Sequence, residues 1–141
     1  MRIAEVLRNK GTDVATVGPS ATVTELIAAL AAHNVGALPV VEGERLVGIV
    51  SERDVVRRLN DGGPSLLDAT VSHIMSTGVT TCAPGDDVAD IAAVMTTGRF
   101  RHLPVLVDGK LAGIVSIGDL VKARIDVLES ERTQLRNYIA G

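Results

Sequence analysis

The stretch LPVVEGERLVGIVSERDVV at residues 38–56 returns as LPVLVDGKLAGIVSIGDLV at residues 103–121. A shift of 65 residues lays Val14–Leu59 over Val79–Arg124 without a gap, and fifteen of those 46 positions are identical. Leu-Pro-Val, Gly-Ile-Val-Ser and the Asp three residues after that Ser recur in register. A shorter echo precedes each copy, Ile3-Ala-Glu-Val-Leu7 and Val71-Ser-His-Ile-Met75. Self-similarity of this kind means that one supersecondary unit is used twice.

Working outward from the repeat, each copy predicts the same elements. Ala37–Val41 and Leu46–Val50 are short apolar runs around Glu42-Gly43-Glu44, and His102–Val107 and Leu111–Val115 flank Asp108-Gly109, a strong hairpin signal. Pro39 and Pro104 stand inside apparent strands, which implies an edge or a bulge, because Pro cannot donate to a ladder. Thr22-Val-Thr-Glu25 has capping-box spacing ahead of an apolar-periodic run to Asn34, and Asp87 and Asp90 play similar parts before the run to Gly98. Further helices are predicted from Ser51, from Ser116 and near Leu66–Met75, with Asp61-Gly-Gly-Pro-Ser65 as a linker. Val14–Val17 and Val79–Cys82, each with a Pro two residues on, read as short strands. The fold class is α/β, or α+β by strict sorting: two β-α-β-β-α units packed face to face with pseudo-two-fold symmetry. The domains are 1–62 and 63–124, with a helical extension at 125–141.

Composition narrows the function classes. The chain has 141 residues, 46% hydrophobic and 22% charged, enough for a real core without disulfides or a metal. Its formal net charge is -3, and acidic and basic groups divide evenly between the halves, so no basic half is offered to a phosphate backbone. Phe100 and Tyr138 are the only aromatic residues, which removes the stacking platforms of single-strand binders. The lone Cys82 cannot form an internal disulfide, the longest apolar run is Leu26 to Ala32, and the N-terminus lacks an apolar leader. The expectation is a cytoplasmic protein that binds neither nucleic acid nor membrane. His33, His73 and His102 form no ligand pair, so no metal is expected. Val115-Ser-Ile-Gly118 lacks the first Gly of a nucleophile elbow, since Ile114 stands there. No base, nucleophile or metal set marks an enzyme.

Ser51-x-x-Asp54 and Ser116-x-x-Asp119 each read as a capping box at a strand-to-helix junction. The same carboxylate could accept both hydroxyls of a ribose, and the helix N-terminus offers free N–H groups to a phosphate. Gly48 and Gly113 lie in second strands, where a missing side chain serves either close packing or the entry of a flat base.

These residues resemble the cystathionine-β-synthase (CBS) domain family, and the tandem arrangement resembles the pair called a Bateman module. The carriers are Gly36-Ala-Leu-Pro-Val40 with Leu46-Val-Gly-Ile-Val-Ser-Glu-Arg-Asp54, and Arg101-His-Leu-Pro-Val105 with Leu111-Ala-Gly-Ile-Val-Ser-Ile-Gly-Asp119. The resemblance covers roughly residues 1–124. It implies a non-catalytic regulatory module that needs no cofactor. Such a module binds an adenine nucleotide, AMP foremost among AMP, ADP, ATP, NAD(H) and S-adenosylmethionine, in the cleft between copies. It also implies a homodimer that regulates an unidentified protein; a scaffold that has lost its ligand is the alternative. One implied pocket is built on Asp119 with Ile114, Ser116 and Gly118, and draws Val35, Gly36, Ala15 and Lys10 from the first copy, with Arg101 or His102 supplying positive charge. The other is built on Asp54 with Ile49, Ser51 and Arg53, and draws Phe100, Arg101, Val79 and Thr80 from the second. Beyond the family minimum, Val121, Ile125, Leu128, Arg132, Leu135 and Ile139 have heptad spacing, either packed back on their own domain or paired between subunits.

Overall fold

The computed structural model describes residues 1–11 and 13–140. Its elements are α1 (Ile3–Lys10), α2 (Val23–His33), β1 (Ala37–Glu42), β2 (Arg45–Ser51), α3 (Glu52–Gly62), α4 (Val71–Ile74), α5 (Val88–Gly98), β3 (His102–Val107), β4 (Lys110–Ser116) and α6 (Ile117–Ala140). A 3-10 turn at Pro64–Asp68 precedes α4. The class is mixed α and β, with strands in antiparallel hairpins.

Turn and cap chemistry sets these boundaries. Asp108 and Gly109 both have positive φ, at 50° and 79°, the pair a type I′ hairpin turn requires. β1 pairs with β2 from Ala37↔Ser51 to Glu42↔Arg45, with an irregularity between Val40 and Val41, next to the strand proline as expected. Thr22 accepts the Glu25 N–H at 3.1 Å to open α2, and Asp87 accepts the Ala89 N–H at 2.8 Å to open α5. Both helices end on a left-handed residue at equivalent positions, Asn34 and Arg99.

Three predicted elements are corrected. Val14–Val17 and Val79–Cys82 are not strands; each makes one parallel bridge, Val17↔Val40 and Cys82↔Val105. The cause lies in the neighbouring strand. Val17 donates to the Pro39 carbonyl and accepts from Val41, and Cys82 does the same with Pro104 and Leu106. The next rung needs the N–H of residue 39 or 104, which Pro lacks. Likewise the helix near Leu66–Met75 is split: Ala69 and Thr70 are extended between the 3-10 turn and the single turn of α4. Asp61 and Gly62, read as linker, close α3.

The chain gathers into two compact units. One, here the Asp119 unit, contains Met1–Thr12, Thr81–Leu106 and Gly113–Gly141; the other, the Asp54 unit, contains Asp13–Thr80 and Val107–Ala112. The expected division at 62/63 is one of sequence copies, and the compact units cut across it, because the helix that opens each copy belongs to the core of the other. Ile3 and Val6 of α1 are buried with Val88, Ile91, Leu103 and Val115. Val71 and Ile74 of α4 are buried with Val23, Leu26, Leu38 and Val50. The docking bonds repeat as well. Ile3 donates to the Asp86 carbonyl as Val71 does to Ala21, and Val88 donates to the Met1 carbonyl as Val23 does to Ala69. The two cores are the repeat made physical: Val17/Cys82, Val23/Val88, Leu26/Ile91, Leu30/Met95, Leu38/Leu103, Val40/Val105, Val50/Val115 and Val55/Leu120 are buried in both. Each large aliphatic side chain so buried contributes about 1.5–3 kcal/mol.

α6 runs without a break through the expected boundary at 124/125. Its 24 residues span about 36 Å at 1.5 Å each. Leu120 and Ala123 reach the core, whereas every residue from Leu128 to Ala140 is exposed. That end of the helix therefore does not pack back on its own unit.

Gly48 and Gly113 serve close packing. A Cβ on Gly48 would stand 2.7 Å from the Met75 Sδ and 2.9 Å from the Ser76 carbonyl oxygen. One on Gly113 would meet only the Leu7 side chain, at 2.7 Å. A backbone carbonyl cannot step aside, while a leucine terminus can. Gly48→Ala should therefore cost about 1–3 kcal/mol by overpacking. Gly113→Ala should stay within about 1 kcal/mol of the parent, the strand benefit of losing a Gly offsetting the side-chain shift. Urea denaturation of the two variants checks the asymmetry; equal losses would contradict it.

Candidate functional site

The strand-to-helix junctions put a carboxylate at a fixed point in each unit. In the Asp54 unit, the Ser51 N–H and hydroxyl donate to Asp54 Oδ2 at 2.8 and 3.0 Å, and the Asp54 N–H donates to Ser51 Oγ at 3.2 Å. In the Asp119 unit, the Ser116 N–H donates to Asp119 Oδ2 at 2.9 Å and the Asp119 N–H donates to Ser116 Oγ at 3.1 Å. Both are reciprocal capping boxes, as the spacing predicts.

Around the two boxes the units differ. Lys10, the last residue of α1, donates from Nζ to Asp119 Oδ2 at 2.7 Å and to the Ile114 carbonyl at 3.0 Å. The equivalent strand residue, Ile49, instead exchanges both backbone bonds with Ser76, at 3.0 and 2.9 Å. One unit closes this edge with main chain and the other with an ammonium group. Lys10, Asp119, Lys122 and Asp126 also line a surface cavity of about 350 Å³, together with Met1, Val6, Asn9 and Ala123. That volume lies at the lower end of the range for small-molecule sites. Lys122 and Asp126 escaped the sequence reading, although they stand three and seven residues after Asp119, on its helix face.

The remaining expected residues fall as follows. Gly118 is exposed and Ile114 half-buried in the Asp119 unit; there Arg101 is exposed, with its carbonyl accepting the Ile117 N–H, and His102 is half-buried. Phe100 is exposed against Gly98, where an added Cβ would collide with its ring. In the Asp54 unit, Arg53 is exposed and Ala15, Val79 and Thr80 are half-buried. Val35 and Gly36 there line an apolar groove of about 550 Å³ with Ile27, Leu30, Val55 and Val56, between α2 and α3. Within one unit, then, Lys10, Ile114, Ser116 and Asp119 are drawn together by direct bonds, and within the other Ser51 and Asp54 are. Cys82 is buried, and burial first and the nearby Asp86 second push its thiol up to about 11, so it stays protonated. Among the described residues no group of His, Cys, Asp and Glu could hold a metal ion, and no helix is long and apolar enough to cross a membrane.

Partial burial pushes the Asp119 carboxyl up, but the Lys10 hydrogen bond and charge and the Ser116 donors together outweigh it, and its pKa lies below the usual 3.8. A depressed pKa means stability that is complete above the unfolded value and lost as pH falls through the folded one. The Lys10 side chain is 36% exposed and that of Asp119 26%, so screening holds the pair to about 1 kcal/mol or less. Wild type should exceed Lys10→Met by that margin in urea melts at pH 7, and the gap should close as pH falls through the lowered pKa of the carboxylate. A gap that persists at pH 2 would show that Lys10 stabilises by packing alone.

Comparison with known proteins agrees with this architecture. The CBS domain family profile matches twice, over residues 3–61 and 71–126. A CBS-domain containing protein of Agrobacterium tumefaciens, solved by crystallography, is 41% identical with a TM-score of 0.85, covering 88% of this chain and 99% of that one. The mitochondrial CBS domain-containing protein CBSX3 of Arabidopsis thaliana is 38% identical over 125 residues, which are 85% of this chain and 61% of that protein. The structure of CBSX2 in complex with AMP is 26% identical with a TM-score of 0.74, covering 89% of this chain and 97% of that one. With both copies matched and both cores built from equivalent positions, the chain is a CBS-domain pair and belongs to the CBS domain family.

Proposed function

We propose that this CBS pair is a regulatory module that senses an adenine nucleotide, AMP foremost, and passes occupancy to a protein partner. The observation that carries the reading is the Asp119 constellation: a fixed carboxylate at a helix N-terminus and a lysine that bonds both it and a strand carbonyl, the carboxylate and the lysine lining one cavity. A carboxylate accepts ribose hydroxyls, and a helix N-terminus with a cation favours phosphate. The AMP complex of a relative supports the same ligand class. Ile114, Ser116 and Gly118 complete this pocket, with Arg101 or His102 as counter-charge. A second pocket on Asp54 would use Ile49, Ser51, Arg53, Val79 and Thr80. AMP at about 100 times its Kd should raise stability by about 2.7 kcal/mol, several degrees in a thermal scan. Asp119→Asn should weaken binding by roughly 1–3 kcal/mol in calorimetry. No shift with AMP, ADP, ATP, NAD(H) or S-adenosylmethionine would leave the scaffold reading in its place.

The module acts as a homodimer. Ile27 of α2, Val56 and Leu59 of α3, Val94 of α5, and Val121 and Ile125 of α6 are large apolar side chains left exposed by the single chain. The heptad positions Leu128, Leu135 and Ile139 are exposed further along α6. A second copy covers it, with an interface on the order of 1,600 Å². Light scattering at micromolar concentration without nucleotide should give twice the 14.7 kDa chain mass; a mass near the single chain would reject the dimer.

A further inference from the structure

Lys10 occupies acceptors that a nucleoside would need. Its ammonium bonds Asp119 Oδ2 and the Ile114 carbonyl at once, at 2.7 and 3.0 Å. That oxygen of Asp119 already accepts the Ser116 N–H at 2.9 Å, so while the lysine stays only Oδ1 is open to a ribose, and a second hydroxyl must compete with the ammonium for Oδ2. Ribose hydroxyls and an ammonium are both donors and compete for the same lone pairs. A ligand that wins them leaves a displaced cation, which loses two bonds unless the ligand brings an anion for it. The four-carbon stem of lysine lets the charge swing without backbone movement, and the side chain is already 36% exposed. Lys122 and Asp126 line the same cavity, so its wall carries two cations and two carboxylates.

The other copy is built differently. Packing on the strand glycine makes Leu7 and Met75 equivalent, since each stands where the Cβ of Gly113 or Gly48 would go. Three residues beyond Leu7 is Lys10; three beyond Met75 is Gly78, which has no side chain to offer. α1 has eight residues and α4 four.

We infer that Lys10 is a displaceable ammonium that makes the Asp119 pocket selective for phosphorylated over neutral adenosine ligands: it holds the Oδ2 acceptor that a ribose needs for its second hydroxyl until a phosphate takes its charge. This rests on the nucleotide reading above and adds a selectivity that the reading alone does not require. It also makes the two copies unequal, with phosphate selectivity confined to the Asp119 side.

The test is calorimetric titration of AMP and of adenosine into wild type, Lys10→Met and Lys10→Arg, with Lys10→Gln in reserve should the Met variant not fold. Wild type should prefer AMP. Lys10→Met should weaken AMP about five- to tenfold, the order of a partly exposed charge-assisted bond. The same change should leave adenosine unchanged or bound more tightly, because a competitor is gone. Lys10→Arg should keep a preference for AMP. Equal losses for both ligands in Lys10→Met would make Lys10 a packing residue and overturn the inference while the nucleotide reading stands. An unaltered AMP-to-adenosine ratio, or a wild type that binds the two alike, would do the same. A wild type that binds neither ligand at millimolar concentration would overturn the inference, and with no shift from ADP, ATP, NAD(H) or S-adenosylmethionine the nucleotide reading as well.

Discussion

Each copy of this chain turns on two reciprocal hydrogen bonds at the point where a strand becomes a helix. The Ser N–H to Asp carboxylate bond and the Asp N–H to Ser hydroxyl bond start α3 at Glu52 and α6 at Ile117. That start fixes the helix phase, which sends Val55 and Leu120 into their cores and keeps the Asp carboxylates half-buried at the surface. It also removes conformational freedom from the carboxylate before any ligand arrives, which is the condition for a short polar group to recognise anything tightly. The structural and functional readings of Ser-x-x-Asp are therefore not rivals. The cap is what holds the carboxylate still.

Most of the fold was legible because its signals are local. A positive-φ turn at Asp108-Gly109, a Thr cap three residues before Glu25 and apolar positions at helical spacing each act within a few residues. What could not be read involves a partner segment distant in sequence. Val14–Val17 has strand composition, yet its ladder stops at one rung because Pro39, more than twenty residues on, has no N–H to give. The exchange of opening helices was likewise hidden. Ile3 and Val6 show an apolar stripe, but a stripe does not say which core receives it.

The candidate site divides along the same line. Ser116, Asp119 and Ile114 were legible from a motif that repeats in register. Lys10 was reached through family resemblance, since it lies over a hundred residues from Asp119 and only the docking of α1 unites them. Lys122 had a signal, its position one turn after Asp119, that the motif overshadowed.

Backbone accounting explains how the copies diverged without losing the fold. The carbonyl of residue 49 or 114 lies on a strand edge, and a carbonyl in such a place needs a donor. In the Asp54 unit Ser76 donates its own N–H, because the chain leaves α4 after one turn and runs beside β2. In the Asp119 unit the corresponding helix is twice as long and carries the chain past that point, so a side chain must donate instead. A main-chain donor is fixed in place and can serve only structure. A lysine at the same acceptor carries a charge on a flexible stem and can be drawn away by an anion. The longer α1 thus replaces a permanent bond with an exchangeable one at the residue where a ligand would compete for it, and this difference lets a duplicated fold hold one inert edge and one responsive edge.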